Sequence, residues 1–135
     1  MLEVRIYYED TDAGGVVYYA NYLRYFERAR IEYLRSRGVE IKDLISRGIH
    51  FVVVRVEADF QAPAELGDIL EIETRFCNFT KVSFWTEYVI RRKGDNKIIV
   101  LGRAKLACIN DNHKVSPIPE DVLSKIKDTQ SDRAQ

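Results

Sequence analysis

A single change of hydrophobic period constrains this chain more than any other feature. Over residues 21–37 the apolar side chains Tyr22, Phe26, Ala29 and Tyr33 recur at helical spacing, and Leu23, Tyr25 and Leu34 widen the stripe. Arg24, Glu27, Arg28, Glu32 and Arg35 occupy the opposite face, with Arg28 and Glu32 spaced to pair. Such a helix is about 26 Å long. Beyond residue 50 the period becomes two. Val54, Val56, Ala58 and Phe60 alternate with charged residues, as do Leu70, Ile72, Thr74 and Phe76. Val82, Phe84, Thr86, Tyr88 and Ile90 form a further run, and Val100, Ala104, Leu106 and Cys108 mark one face of residues 98–109. Residues 2–9 (LEVRIYYE) also alternate and place one strand ahead of the helix.

Strand, long helix and then successive strands define an α+β chain. The short connections, including the hairpin signal Lys93-Gly94-Asp95-Asn96, make the sheet antiparallel. One helix covers only one sheet face, so the other face is polar or meets another subunit. Ile99 and Leu101, out of phase with the core set, are the candidates for that second buried surface. Asn21 stands where an N-terminal cap belongs and Gly38 where a left-handed residue closes a helix. A short helix over residues 41–46, stopped by Gly48, and another over residues 120–127, opened by Pro117 and Pro119, complete a single domain of residues 1–127. The polar tail 128–135 is expected to fray.

Composition narrows the function classes. Lys plus Arg and Asp plus Glu both number 21, and this balance argues against a general nucleic-acid or membrane-surface binder. Cys77 and Cys108 fall inside apolar strand runs with no CxxC spacing, which reads as two buried thiols rather than a disulfide or zinc site. No signal-type segment and no spanning apolar run appears, so a cytoplasmic location is expected.

Between the first strand and the helix, residues 10–17 (DTDAGGVV) carry turn chemistry, because Gly14 and Gly15 tolerate positive φ. An aspartate in such a turn is ordinarily a capping residue. Its surroundings, however, are specific. Residues 7–30, YYEDTDAGGVVYYANYLRYFERAR, resemble the YbgC-type acyl-CoA thioesterases within the 4-hydroxybenzoyl-CoA thioesterase family of hotdog folds. The resemblance extends through residues 51–68 (FVVVRVEADFQAPAELGD) to Ser116-Pro117 and Pro119, and covers roughly residues 3–123. It implies a five-stranded antiparallel sheet wrapped around one long central helix.

The resemblance also implies an activity: hydrolysis of an acyl-CoA thioester to free CoA and a carboxylic acid. Such a reaction needs a carboxylate to attack or to activate water, and donors for the developing oxyanion. Asp12 matches the family's catalytic aspartate, as nucleophile or as general base. The backbone N–H of Tyr19 matches the group that polarises the carbonyl, at a helix N-terminus whose unpaired N–H groups and dipole favour negative charge. Gly15, Val16, Asn21 and Lys81 match substrate-binding positions, Lys81 as a partner for CoA phosphate. Tyr19 departs from the histidine that many YbgC-type members carry, so no imidazole takes part there. Glu27 is the rival carboxylate, flanked by Arg24 and Arg30. Coenzyme A enters only as part of the substrate, and no metal or other cofactor is implied. The expected assembly is a homo-oligomer, dimer or tetramer, with acyl carrier protein as a possible partner. The competing reading is a non-catalytic acyl-CoA or acyl-carrier-protein binding module on the same fold; a dehydratase is disfavoured because no histidine lies near Asp12. The tyrosines and Phe26 of residues 7–26 either line an aromatic acyl pocket or build the core.

Overall fold

In a computed structural model the protein is described over residues 1–134, with side chains over residues 1–127. Strand β1 (Leu2–Arg5) leads through a single 3-10 turn (Tyr8–Asp10) and a loop to helix α1 (Asn21–Ser36) and the short helix α2 (Ile41–Ser46). Strands β2 (His50–Phe60), β3 (Ile69–Cys77), β4 (Ser83–Arg92) and β5 (Ile98–Ile109) follow, and helix α3 (Glu120–Ala134) ends the chain. The five strands form one antiparallel sheet in the order β1-β3-β4-β5-β2. This is the hotdog arrangement the resemblance implies.

Helix α1 crosses the sheet diagonally, and aromatic contacts mark its path. Tyr22 meets Phe60 of β2 at a centroid separation of 5.8 Å, Phe26 stacks flat on Tyr88 of β4 at 4.4 Å, and Tyr33 tilts onto Phe76 of β3 at 4.7 Å. Contact with β5 is closer still. A methyl group at Gly102 would stand 2.3 Å from the Phe26 ring, so only glycine admits the helix at this depth. Tyr25, Phe26, Ala29 and Leu34 are all buried, and each large side chain so buried contributes about 1.5–3 kcal/mol. Toward the other end of the sheet, Phe84 is ringed by Phe51, Phe76 and Phe79, and α3 adds Val122 and Ile126 to the core.

Several sequence expectations need correction. Strand β1 stops at Arg5 rather than at residue 9, because the Asp10 carboxylate accepts the Tyr7 N–H at 2.8 Å and bends residues 7–10 into the 3-10 turn. Asn21 does not cap α1. Ala20 holds the cap position with helical dihedrals, φ −66° and ψ −22°, and Asn21 is the first helical residue. Arg28 lies over the Tyr25 ring while Glu32 pairs with Arg35, so the Arg28–Glu32 pair does not form. Strand β2 is an edge strand, and its register shifts between Val53 and Arg55; Val54, Val56 and Phe60 are therefore 56%, 43% and 50% exposed rather than core. Ile99 is fully buried within its own chain. The β4–β5 register shifts beside it, and this bulge turns Ile99 and Val100 inward together. Leu101 does face the outer side, where Glu57, Asp59, Glu87 and Arg103 line a groove of about 500 Å³. Helix α3 runs past residue 127, to Ala134, and the side chains of the tail that was expected to fray, residues 128–135, lie outside the described residues.

Cys77 and Cys108 are buried and not disulfide-linked, as the sequence implied, and burial raises the Cys108 thiol pKa. Among the described residues no helix is long and apolar enough to cross a membrane. Gly102→Ala should lower stability by about 1–3 kcal/mol in urea denaturation, because the added methyl group overpacks against Phe26.

Candidate active site

Residues 11–17 form a miniature hairpin that presents Asp12. Thr11 bridges Val17, the Asp12 N–H donates to the Val16 carbonyl at 2.9 Å, and the Gly15 N–H donates to the Asp12 carbonyl at 3.0 Å. Gly15 closes the turn at φ +82°, a conformation that disfavours any side chain. Two ties fix the hairpin to the segment before β3: Val17 N–H donates to Ala64 O at 2.8 Å, and Val16 bridges Glu65. Asp12 itself is exposed at the tip. Its Oδ1 accepts the Gly14 N–H at 2.8 Å, while Oδ2 accepts no hydrogen bond among the described residues. One oxygen is therefore held and the other is open to a reacting group.

The entrance to α1 supplies the second element. Tyr18 N–H donates to the Asp10 carbonyl at 3.0 Å, and the N–H groups of Asn21, Tyr22 and Leu23 donate to the carbonyls of Tyr18, Tyr19 and Ala20. Those three bonds satisfy the first turn. The Tyr19 N–H has no acceptor among the described residues, and it sits where the helix dipole is positive. Asn21 is buried, and its Nδ2 donates to the Asp10 carbonyl at 2.9 Å, so its side chain braces the hairpin instead of capping the helix.

The other sequence candidates separate from this group. Lys81 is exposed in the turn after β3, the full length of that strand, roughly 25–30 Å, from the end where the hairpin docks. Within one chain it does not join Asp12. Glu27 is exposed on α1 with no ion pair among the described residues, and Arg30 turns inward to donate to the Tyr88 hydroxyl at 3.1 Å. Although Arg24 and Arg30 flank Glu27 in the sequence, Arg30 is thereby committed to a buried acceptor. His50 pairs with Asp111 at 2.7 Å, away from the hairpin. Among the described residues no group of three or more His, Cys, Asp or Glu is placed to hold a metal ion.

Part of the aromatic segment builds the core and part is exposed. Tyr22, Tyr25 and Phe26 are core, whereas Tyr7, Tyr8, Tyr18 and Tyr19 are exposed. Tyr19 packs edge-on against Phe60 at 6.0 Å and beside Tyr18 at 4.8 Å, giving an exposed aromatic surface at the helix entrance. Alternation alone assigned Phe60 to the core; its place at the end of an edge strand was the missing signal.

Residues 7–126 match the model of the thioesterase-like superfamily. The chain belongs to that superfamily. An acyl-CoA thioesterase YbgC from Haemophilus influenzae is 40% identical over 124 residues, 88% of each chain, and an acyl-CoA thioester hydrolase YbgC from Escherichia coli is 35% identical over 127 residues, 92% of each. The structure of a 1,4-dihydroxy-2-naphthoyl-CoA thioesterase from Synechocystis superposes with a TM-score of 0.88 at 27% identity, covering 96% of both chains.

Burial pushes the Tyr22 hydroxyl, at the foot of the helix entrance, up to about 12. An unfolded tyrosine ionises near 10, so stability linked to this group is complete below about pH 10 and is lost as pH climbs toward 12. Urea melts at about pH 9 and pH 11 should show wild type losing more stability across that interval than Tyr22→Phe.

Proposed function

We propose that the chain hydrolyses acyl-CoA thioesters to free CoA and a carboxylic acid, with Asp12 as the reacting carboxylate and the Tyr19 N–H as oxyanion donor. The observation that carries this reading is the pairing of an exposed carboxylate, immobilised through one oxygen only, with an unpaired N–H at the mouth of the adjoining helix. Membership of the thioesterase-like superfamily and the two YbgC relatives support the reaction class. In the general-base route Asp12 takes a proton from water as it attacks the thioester carbonyl. In the nucleophilic route Asp12 attacks directly, expels CoA thiolate as a mixed anhydride forms, and water then cleaves the anhydride. Both routes develop negative charge on the carbonyl oxygen, where a preorganised N–H is most effective. Gly15 and Val16 shape the turn through their backbone. Coenzyme A takes part only as the departing half of the substrate.

The working unit is a homo-oligomer, dimer or tetramer. Edge strand β2 leaves Val53, Val54 and Val56 exposed, a surface that a soluble monomer does not usually present. Contact with CoA phosphate by Lys81 then requires a second subunit, because Lys81 lies far from Asp12 within one chain. An acyl carrier protein is an alternative carrier of the same thioester, and the surrounding chemistry is expected to be cytoplasmic.

Asp12→Asn preserves size and the Gly14 hydrogen bond but removes the carboxylate. In a free-thiol assay across short, long and aromatic acyl-CoAs it should lose about a hundredfold or more in kcat while remaining folded. Equal activity of the two proteins would move suspicion to Glu27, and inactivity of both toward every substrate would favour a binding module. Light scattering should give a mass of two or four times 15.7 kDa.

A further inference from the structure

The Asp12 turn and the Tyr19 N–H stand on separate stretches of chain, yet the proposed hydrolysis requires them at a fixed separation. Asp10 is tied to both. It lies two residues before Asp12, next to the Thr11–Val17 bridge, and its carbonyl accepts the Tyr18 N–H at 3.0 Å and the Asn21 Nδ2 at 2.9 Å. Its own carboxylate sets the aim of that carbonyl by accepting the Tyr7 N–H at 2.8 Å and closing the 3-10 turn. Behind it stands Tyr25, only 1% exposed, whose hydroxyl closes no well-formed hydrogen bond among the described residues. Burial first, and then the negative charge of Asp10, hold that hydroxyl far above the ordinary tyrosine range. The two donors, Tyr18 N–H and Asn21 Nδ2, are what hold the Asp10 carbonyl.

We propose that Asp10 is a positioning residue: it holds the Asp12 hairpin and the Tyr19 helix entrance on one carbonyl, without itself touching the thioester. This inference rests on the hydrolase reading above. An aspartate in a turn is commonly a local stabiliser and nothing more. Here the buried first residue of α1 commits its side chain to the same carbonyl, which joins the turn to the helix that carries the oxyanion donor.

The test compares Asp10→Ala, Asp10→Asn, Asn21→Ala and the Asp10→Ala/Asn21→Ala double variant on an acyl-CoA that wild type hydrolyses. Asp12→Asn runs alongside, and circular dichroism and thermal melting report folding. Asparagine still offers an oxygen to the Tyr7 N–H, so Asp10→Asn should stay within about threefold of wild-type kcat. Asp10→Ala should lose about tenfold or more in kcat with KM changed less than about twofold. Asn21→Ala should show a comparable kcat loss, and the double variant should fall short of the product of the two single losses. Unaltered kcat in Asp10→Ala overturns the proposal, as does strict multiplication of the two losses. An Asp10→Asn loss as deep as that of Asp12→Asn also overturns it, because Asp10 would then be a reacting carboxylate. If Asp10→Ala fails to fold, Asn21→Ala decides: a kcat loss at constant KM supports the proposal and a change in KM alone overturns it. Wild type inactive toward every thioester defeats the hydrolase reading, and this inference with it, before any variant is compared.

Discussion

Helix α1 is seated on the sheet where Phe26 rests on Tyr88 and above the bare backbone of Gly102. Ring and glycine together set the height of the helix, and the tilted Tyr33–Phe76 contact sets its direction. Because α1 is rigid over Asn21–Ser36, fixing it at Phe26 also fixes its N-terminus, more than one turn away. Packing in the core thus places the helix entrance that bears the unpaired Tyr19 N–H, and the Asp10 carbonyl ties the loop to it. A loop that had to find this position unaided would lose conformational entropy on each encounter with substrate.

The loop contributes the carboxylate, and its own order comes from backbone hydrogen bonds. Residues 11–17 bury little beyond Val17, yet the bridge at Thr11, the Val17 bond to Ala64 and the Val16 bridge to Glu65 leave the hairpin few other conformations. The Asp12 carboxylate stays exposed at the tip, tied through one oxygen to the Gly14 N–H. This economy separates the molecule into a buried aromatic scaffold and a small polar tip.

Much of this was legible in the sequence. The helix stripe, the alternation of β3 and β4 and the hairpin at Gly94 all follow from local period and turn chemistry, and the structure reproduces them. Misreadings cluster where a non-local fact decides. Val54, Val56 and Phe60 have the period of a core strand, but only sheet order reveals that β2 is an edge. Ile99 was assigned outward by counting from Val100, and a bulge defeats counting. Asn21 has the chemistry of a cap, yet Ala20 is already helical, so the side chain turned to the Asp10 carbonyl. Asp12 was singled out by the long motif around it and not by its own turn. Asp10 lies in the stretch of turn chemistry that the sequence marks and does stabilise a turn, but its further significance comes from partners later in the chain, Tyr18 and Asn21.

Central to the account is the backbone N–H of Tyr19, because the side chain at that position is dispensable in the proposed chemistry while the amide is not. Replacing Tyr19 with the corresponding α-hydroxy acid converts that amide to an ester, deleting the N–H and leaving the phenol ring in place. The account predicts that kcat for acyl-CoA hydrolysis falls by about a hundredfold or more with the fold intact, the usual cost of losing one oxyanion donor. An ester-substituted protein that turns over at the wild-type rate would contradict it.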